Sequence, residues 1–126
     1  MRRKLLVLAL AVTLGPLLSE AVTRDNFLLR NTQDWVELCS VTDKDPLRDA
    51  AIGFCHGYGV GAFHYYLAQH AGPESKPFVC LPDPPPSRHE RLQMFLAWAR
   101  QNPQTMSEPA VESLFKFLTA KWPCKK

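Results

Sequence analysis

The 126 residues of the chain include 15 lysines and arginines and 12 aspartates and glutamates, which gives a formal net charge of +3. Three of the basic side chains, at residues 2–4, belong to the extreme N-terminus, so the rest of the chain is close to neutral. This balance argues against nucleic-acid binding and against binding to an anionic membrane surface. The length is enough for one domain around one hydrophobic core and too small for two.

The N-terminus has the pattern of a secretory signal peptide. The basic residues 2–4 precede an apolar run over residues 5–12, which is too short to span a bilayer as a mature helix. Ser19 and Ala21 are the small residues that a signal peptidase reads, so we predict cleavage after Ala21. An uncleaved membrane anchor fits less well, because the small residues follow so soon. The sequence therefore predicts a cleavable signal peptide over residues 1–21 and export to an oxidising compartment.

All four cysteines, Cys39, Cys55, Cys80 and Cys124, lie in the predicted exported domain, residues 22–126. An even number of cysteines in an oxidising compartment predicts two disulfides. Of the three possible pairings we favour Cys39 with Cys55, which would join two consecutive helices, and Cys80 with Cys124, which would tie the C-terminus to a mid-chain loop. Loop closure gives these bonds about 3 and about 4 kcal/mol. A zinc site is disfavoured because the chain has no C-x-x-C motif.

The first helix is predicted from its cap and its apolar spacing. Residues 27–29 are apolar and are expected to pack as an extended arm or a short turn. Asn31 or Thr32 supplies the cap of the helix that follows, and Trp35 belongs to its apolar face.

The second helix is predicted to be the longest. Asp45 followed by Pro46 indicates its start, because aspartate caps helices and proline suits the first helical position. We expect the helix to run to residue 69 or 70, with Gly72 just beyond its end.

Glycines recur along this second helix at every fourth position, namely Gly53, Gly57 and Gly61. Each glycine costs about 1 kcal/mol relative to alanine inside a helix, so several together need a compensating contact. We interpret them as a face on which a neighbouring backbone packs closely. The run Gly57, Gly59 and Gly61 resembles a phosphate loop only superficially, because no strand precedes it and no Lys-Ser/Thr pair follows it.

The loop over residues 71–86 contains four prolines within residues 82–86, which hold it extended. A long, stiff, exposed loop is either a plain connector or a place for recognition. We predict that a protein partner binds around the end of the second helix and this loop, through His64, Tyr65, Gln69, Phe78 and Asp83.

Two further helices complete the fold. Ser87 with Glu90 forms a capping box at the start of the third helix, and Pro103 follows its end. Ser107 or Glu108 is predicted to start the fourth helix. No segment alternates apolar and polar residues convincingly, so the predicted class is all-α, a small bundle of four main helices stapled by two disulfides.

The sequence offers no catalytic residue and no cofactor or metal site. A nucleophilic cysteine has to be a free thiolate beside a base, and the cysteines are better explained as bridges. The four histidines, His56, His64, His70 and His89, form no H-E-x-x-H motif and no pair at i,i+4. A binding protein therefore fits better than an enzyme.

The framework of the chain resembles the Rap/Tai family of type VI secretion immunity proteins. The resemblance covers nearly all of the predicted mature chain. It is carried by Cys39 near the end of the first helix, by Cys55 with Gly57-Tyr58 and Gly61, by Cys80-Leu81-Pro82, by the proline after the third helix, and by Trp122-Pro123-Cys124.

The resemblance implies a periplasmic, disulfide-bonded helical protein, often a homodimer. It also implies a function, which is to block a cysteine amidase toxin aimed at peptidoglycan by covering its active-site cleft. Two other readings stay open. One is a structural or assembly factor of the cell envelope on the same scaffold. The other is an acid-sensing chaperone, motivated only by His56, His64 and His70 on one helix.

Overall fold

A computed structural model describes residues 21–125, and within them the chain forms four α-helices and no strand beyond one isolated bridge. The helices are, in chain order, α1 Thr32–Cys39, α2 Arg48–Gln69, α3 Arg88–Gln101 and α4 Ala110–Lys121. Short 3-10 helices precede α1, at Arg24–Leu28, and α4, at Pro103–Ser107. The prediction of an all-α domain with four main helices is confirmed.

The hydrophobic core is built around α1, the shortest of the four helices. Trp35 in α1 is only 2% exposed, and its ring centroid lies 4.5 Å from that of Phe95 in α3 and 5.1 Å from that of Tyr58 in α2. The indole nitrogen of Trp35 donates a hydrogen bond of 3.2 Å to the backbone carbonyl of Cys55. A single side chain therefore joins three helices.

Both disulfides form in the predicted pairing. Cys39 at the end of α1 is bonded to Cys55 in α2, and both residues are buried in the core. Cys80 is bonded to Cys124, and here Cys80 is exposed and Cys124 is half-buried. The first bond therefore joins two helices inside the core, while the second joins two non-helical segments at the surface.

The segment before α1 is a 3-10 helix, where the sequence predicted an extended arm or a short turn. The side-chain amide of Asn26 donates to the carboxylates of Asp34 and Glu37. Arg30 donates to Asp34 from both its backbone N–H and its guanidinium, at 2.9 to 3.0 Å. Asn31 caps α1 as predicted, by accepting from the backbone N–H of Asp34. A buried, fully bonded carboxylate thus ties this segment to α1.

The regular part of α2 begins at Arg48, so the predicted start at Asp45 and Pro46 is too early by less than one turn. The Asp45 carboxylate accepts hydrogen bonds from the backbone N–H groups of Leu47, at 2.8 Å, and Val22, at 2.9 Å. The carboxylate of Asp45 therefore binds both the turn before the regular helix and the N-terminal segment.

The start of α3 agrees with the prediction. The Ser87 hydroxyl accepts from the backbone N–H of Glu90, and the Glu90 carboxylate accepts from the backbone N–H of Ser87. This reciprocal pair is the predicted capping box. The helix ends at Gln101, before Pro103, as expected.

The fourth helix starts at Ala110, later than the predicted Ser107 or Glu108. Pro109 explains the difference, because a proline ring pushes the residue before it out of the helical region. Glu108 accordingly has an extended backbone, with φ −80° and ψ 159°. The residues before it form the separate 3-10 helix.

The prediction that Gly53, Gly57 and Gly61 admit a neighbouring backbone is wrong within the described chain. A Cβ placed on any of the three would meet no atom within 4 Å, because all three lie on the exposed face of α2. The glycine in close contact is Gly59, where a Cβ would lie 3.2 Å from Cζ2 of Trp35. The close approach on α2 is made by an indole ring.

None of the helices within residues 21–125 is long and apolar enough to cross a membrane. The predicted signal peptide, residues 1–21, lies outside the described residues except for Ala21. The signal peptide and the domain boundary at residue 22 therefore stay predictions.

Candidate functional site

An apolar pocket of about 280 Å³ lies between α2, α3 and the loop that leads into α3. We call it the α2–α3 pocket. Buried rings of Trp35, Phe95 and Phe117 line it from the core side, and the half-buried Val60 and Phe63 line it from α2. An apolar concavity with a few polar groups is the usual form of a binding site.

One wall of the pocket is the strap, which we define as residues 78–86. Leu81 and Pro85 of the strap line the pocket. Cys80 is joined to the C-terminal segment 122–124 by its disulfide and by a hydrogen bond of 2.8 Å from its backbone N–H. The pocket wall is therefore attached to the end of the chain and not only to the helices beside it.

Tyr66 on α2 holds the start of the strap. Its hydroxyl oxygen accepts hydrogen bonds of 2.9 Å from the backbone N–H groups of both Phe78 and Val79. The buried ring of Tyr66 is surrounded by other rings, which are those of Phe63, His70, Phe78 and Phe115. The start of the strap is thus attached to α2 through this one side chain.

The five residues predicted to bind a partner are divided between the α2–α3 pocket and the surface outside it. His64 lines the α2–α3 pocket. Tyr65 is 69% exposed and Gln69 is exposed, and both lie outside the pocket lining. Phe78 is 43% exposed at the start of the strap, and Asp83 is exposed within the strap. The structure brings one of the five to the pocket, and the binding role of all five stays a prediction.

Sequence reasoning missed Arg88 and Arg91, which line the pocket from the first turn of α3. Cζ of Arg91 lies 5.9 Å from the ring centroid of Phe63 in α2. Their spacing of three residues places both arginines on one helix face, and that signal was present in the sequence. The sequence does not show that this face meets α2 and the strap, since that depends on tertiary packing.

A family model of Rap1a immunity proteins matches residues 31–124, about three quarters of the chain. The chain belongs to the Rap1a immunity protein family. The matched span contains all four α-helices and all four cysteines, so the family resemblance drawn from the cysteine framework is confirmed. No significant match was found among curated proteins or among solved structures.

Membership of the Rap1a family indicates an immunity-type function, in which the protein binds a toxin. Proteins of this kind are typically exported and are generally not enzymes. For this family the function of the α2–α3 pocket and its surroundings is therefore considered in terms of binding.

The shifted pKa values in this Rap1a family member belong to residues outside the pocket lining. The pKa of Asp34 is lowered, chiefly because the Arg30 guanidinium donates to its carboxylate. The pKa of Glu90 is lowered by the hydrogen bonds from Ser87 in the capping box. Burial raises the pKa of the Tyr58 hydroxyl. These shifts are explained by structural contacts in the fold.

The chemistry available at the pocket of this Rap1a family member is set by the residues that line it. All four cysteines are in disulfides, and no group of three or more His, Cys, Asp or Glu within residues 21–125 is arranged to hold a metal ion. His56 and His64 line the pocket, but no hydroxyl, thiol or carboxylate side chain lines it with them. Its described lining therefore supplies an apolar surface with cationic edges and no nucleophile for a histidine to activate.

Proposed function

We propose that this protein is exported to the periplasm and protects its own cell by binding an amidase toxin that cleaves peptidoglycan. The observation that carries the proposal is the Rap1a family match over residues 31–124. In this proposal residues 1–21 direct export, residues 22–126 form the mature domain, and the toxin belongs to a type VI secretion system. Protection comes from covering the active-site cleft of the toxin, without catalysis.

The rigidity of the scaffold supports inhibition by occlusion. One disulfide joins the end of α1 to the interior of α2, the other joins the strap to the C-terminal segment, and every fully buried side-chain nitrogen or oxygen in the described residues has a hydrogen-bond partner. A preorganised surface loses little conformational entropy on binding, so more of the contact free energy appears as affinity.

Exposed apolar side chains are concentrated at one end of α2. Six large apolar side chains are exposed in the described residues, and three of them lie at this end. Tyr65 and Leu67 occupy the last turns of α2, and Phe78 packs against the Tyr66 and His70 rings. Tyr65 and Leu67 are two positions apart and so face different sides of the helix, and exposed aromatic and aliphatic side chains of this kind support contact with a protein partner at this end.

The test is co-purification from the native host with a tagged copy of the protein, followed by an amidase assay on peptidoglycan. We expect an exported amidase with a catalytic cysteine and histidine to co-purify, and its activity to fall when the protein is added. Deletion of the gene should make the cells sensitive to their own toxin. The proposal fails if no amidase is captured and the deletion strain is fully protected.

The same experiment addresses the alternative of an envelope structural or assembly factor. Capture of a non-toxin envelope protein, with self-protection unchanged on deletion, would support that alternative. The family resemblance also implies a homodimer, which sedimentation velocity of the purified protein measures directly.

A further inference from the structure

The ionisable side chains that line the α2–α3 pocket are all basic or imidazole groups. They are His56 and His64 from α2 and Arg88 and Arg91 from α3, and no aspartate or glutamate lines the pocket. The acids nearest in sequence to the two arginines lie outside the lining. Glu90 is bonded to the backbone of Ser87, and Asp83 is an exposed strap residue outside the lining.

The two arginines at the pocket have no carboxylate partner in the described part of the chain. The ion pairs within residues 21–125 join Arg30 with Asp34, Arg48 with Asp43 and Asp49, and Lys116 with Glu108. Arg91 is half-buried with its guanidinium beside the Phe63 ring, so its charge is held at the pocket edge. Two guanidinium groups beside an apolar cavity complement a ligand that is apolar at one end and anionic at the other.

We propose that the α2–α3 pocket receives a large apolar side chain of the toxin, and that Arg88 and Arg91 bind a carboxylate next to it. This inference rests on the proposed function and names the recognition chemistry of that same surface. The cavity of about 280 Å³ has room for one such side chain with space to spare. A protein segment is the occupant rather than a small amphiphile, because the lining of the pocket extends to Leu67, which is 48% exposed, so a segment can contact the open rim as well as the cavity.

The probe is a short blocked peptide with an Asp-Phe pair, compared with Asn-Phe and Lys-Phe versions of the same peptide. The protein is labelled with nitrogen-15 and purified in its disulfide-bonded form from the periplasm of an expression host. Each peptide is titrated into it, and the amide chemical shifts are followed by NMR. We expect the Asp-Phe peptide to shift the amides of Val60, Phe63 and Leu92. It should bind roughly fivefold or more tightly than the Asn-Phe peptide.

The variants separate the charge from the cavity. Arg88→Gln with Arg91→Gln should remove the preference for the Asp-Phe peptide, whereas Arg100→Gln, an exposed change elsewhere on α3, should keep it. Val60→Phe should fill the cavity and weaken both the Asp-Phe and the Asn-Phe peptides. Melting temperatures of all variants establish that each one is folded, and the exposed or half-buried positions of these residues make that the expected result.

Equal binding of the acidic and neutral peptides, or shifts confined to other surfaces, overturns the proposal. The proposal is also overturned if octanoate shifts the amide resonances of the pocket and the peptides do not, since the occupant is then a small amphiphile. Concentration-dependent shifts at the pocket without any peptide also overturn it, because a second copy of the chain then fills the pocket.

A captured toxin distinguishes this inference from the proposed function. If the toxin binds the wild-type protein and binds the arginine and Val60→Phe variants equally well, the pocket proposal fails and the immunity function stands. If no toxin binds the wild-type protein, the proposed function fails, and the peptide titration still decides the chemistry of the pocket.

Discussion

The two disulfides of this protein lie in regions of different construction. Cys39–Cys55 joins α1 and α2 inside the core, over a sequence separation of 16, with Trp35 bonded to the carbonyl of Cys55. Cys80–Cys124 spans a separation of 44 and joins the strap to the C-terminal segment at the surface. The first bond is buried in the core, whereas the second lies at the surface, where hydrogen bonds, Tyr66 and the packing of the buried Val79 also hold the strap.

This difference indicates that the two regions serve different purposes. The α1–α2 region determines whether the domain folds, because its disulfide and indole are both buried. The strap region forms one wall of the pocket, because Leu81 and Pro85, one and five positions after Cys80, line it. Losing the first bond should damage the whole molecule, and losing the second should mainly release the strap.

The largest effect is expected for Cys39→Ala combined with Cys55→Ala. Loop closure contributes about 3 kcal/mol and the lost packing of two buried sulfurs about 2 kcal/mol, so the free energy of unfolding should fall by about 5 kcal/mol. For a small domain this is a large share of the total stability. Urea unfolding followed by circular dichroism measures the change, and a loss below about 1 kcal/mol would contradict the importance of the buried bond.

Removing the second bond by Cys80→Ala with Cys124→Ala should cost up to about 4 kcal/mol from loop closure, with no buried packing to add. The damage should be local. Hydrogen exchange should accelerate at the strap amides while the amides of α1 keep their protection relative to the global stability. Strap amides as protected as in the wild-type protein would mean that hydrogen bonds alone hold the strap.

Tyr66→Phe tests the remaining attachment of the strap. The change leaves the backbone N–H groups of Phe78 and Val79 without their acceptor, so we expect a loss of about 2 to 3 kcal/mol in unfolding free energy. Tyr65→Phe is the matched control, because Tyr65 is exposed, and its effect should stay within about 0.5 kcal/mol. Equal effects of the two changes would show that the Tyr66 hydroxyl does not hold the strap.

Asp34→Asn tests the α1–α2 region through the pH dependence of the unfolding free energy. Asp34 is 4% exposed, and its pKa is lowered by Arg30, so its ionised form adds stability above the unfolded value of 3.8. That stability should be lost as the pH falls through the lower folded-state pKa. We expect the variant to lose about 2 kcal/mol at neutral pH and to show a flatter acid limb in urea unfolding.

The control for this pH dependence is Asp43→Asn, which removes an exposed ion pair with Arg48. It should change the unfolding free energy by less than about 1 kcal/mol at neutral pH. A wild-type acid limb that persists unchanged in Asp34→Asn would mean that another group is responsible.

The smallest effect is expected at the glycines of α2. Gly57→Ala should stabilise by about 0.5 to 1 kcal/mol, because the added methyl group meets no neighbour and the unfolded chain loses freedom. Gly59→Ala should gain less, because its Cβ would lie 3.2 Å from Cζ2 of Trp35. Thermal unfolding of the pair measures the difference, and equal gains would show that Trp35 moves aside at no cost.

Features that depend on nearby residues were predictable from the sequence. The Ser87–Glu90 capping box and the Asn31 cap involve residues three apart, and the structure has both. The disulfide pairing was also predicted correctly. One favoured bond joins two consecutive helices, and the other ties the C-terminus to a mid-chain loop. The family followed from the same cysteine framework.

Features that depend on packing were not predictable. Glycines at every fourth position have the same spacing whether their face is buried or open, and the docking of Trp35 against Gly59 decides the matter. The regular part of α2 starts at Arg48, and the sequence does not show that the Asp45 carboxylate accepts a hydrogen bond from the distant Val22. The pocket arginines lie on a helix face that the sequence shows, but only the docking of α2 and the strap makes that face part of a pocket.

The open glycine face of α2 has a consequence for how the helix comes into being. Gly53, Gly57 and Gly61 each cost about 1 kcal/mol of helix propensity, and within the described chain no neighbouring atom compensates at those positions. A peptide with this sequence should therefore be largely unstructured in water. We therefore expect α2, the longest helix, to be stabilised by its contacts with α1 rather than to form first and then dock against α1.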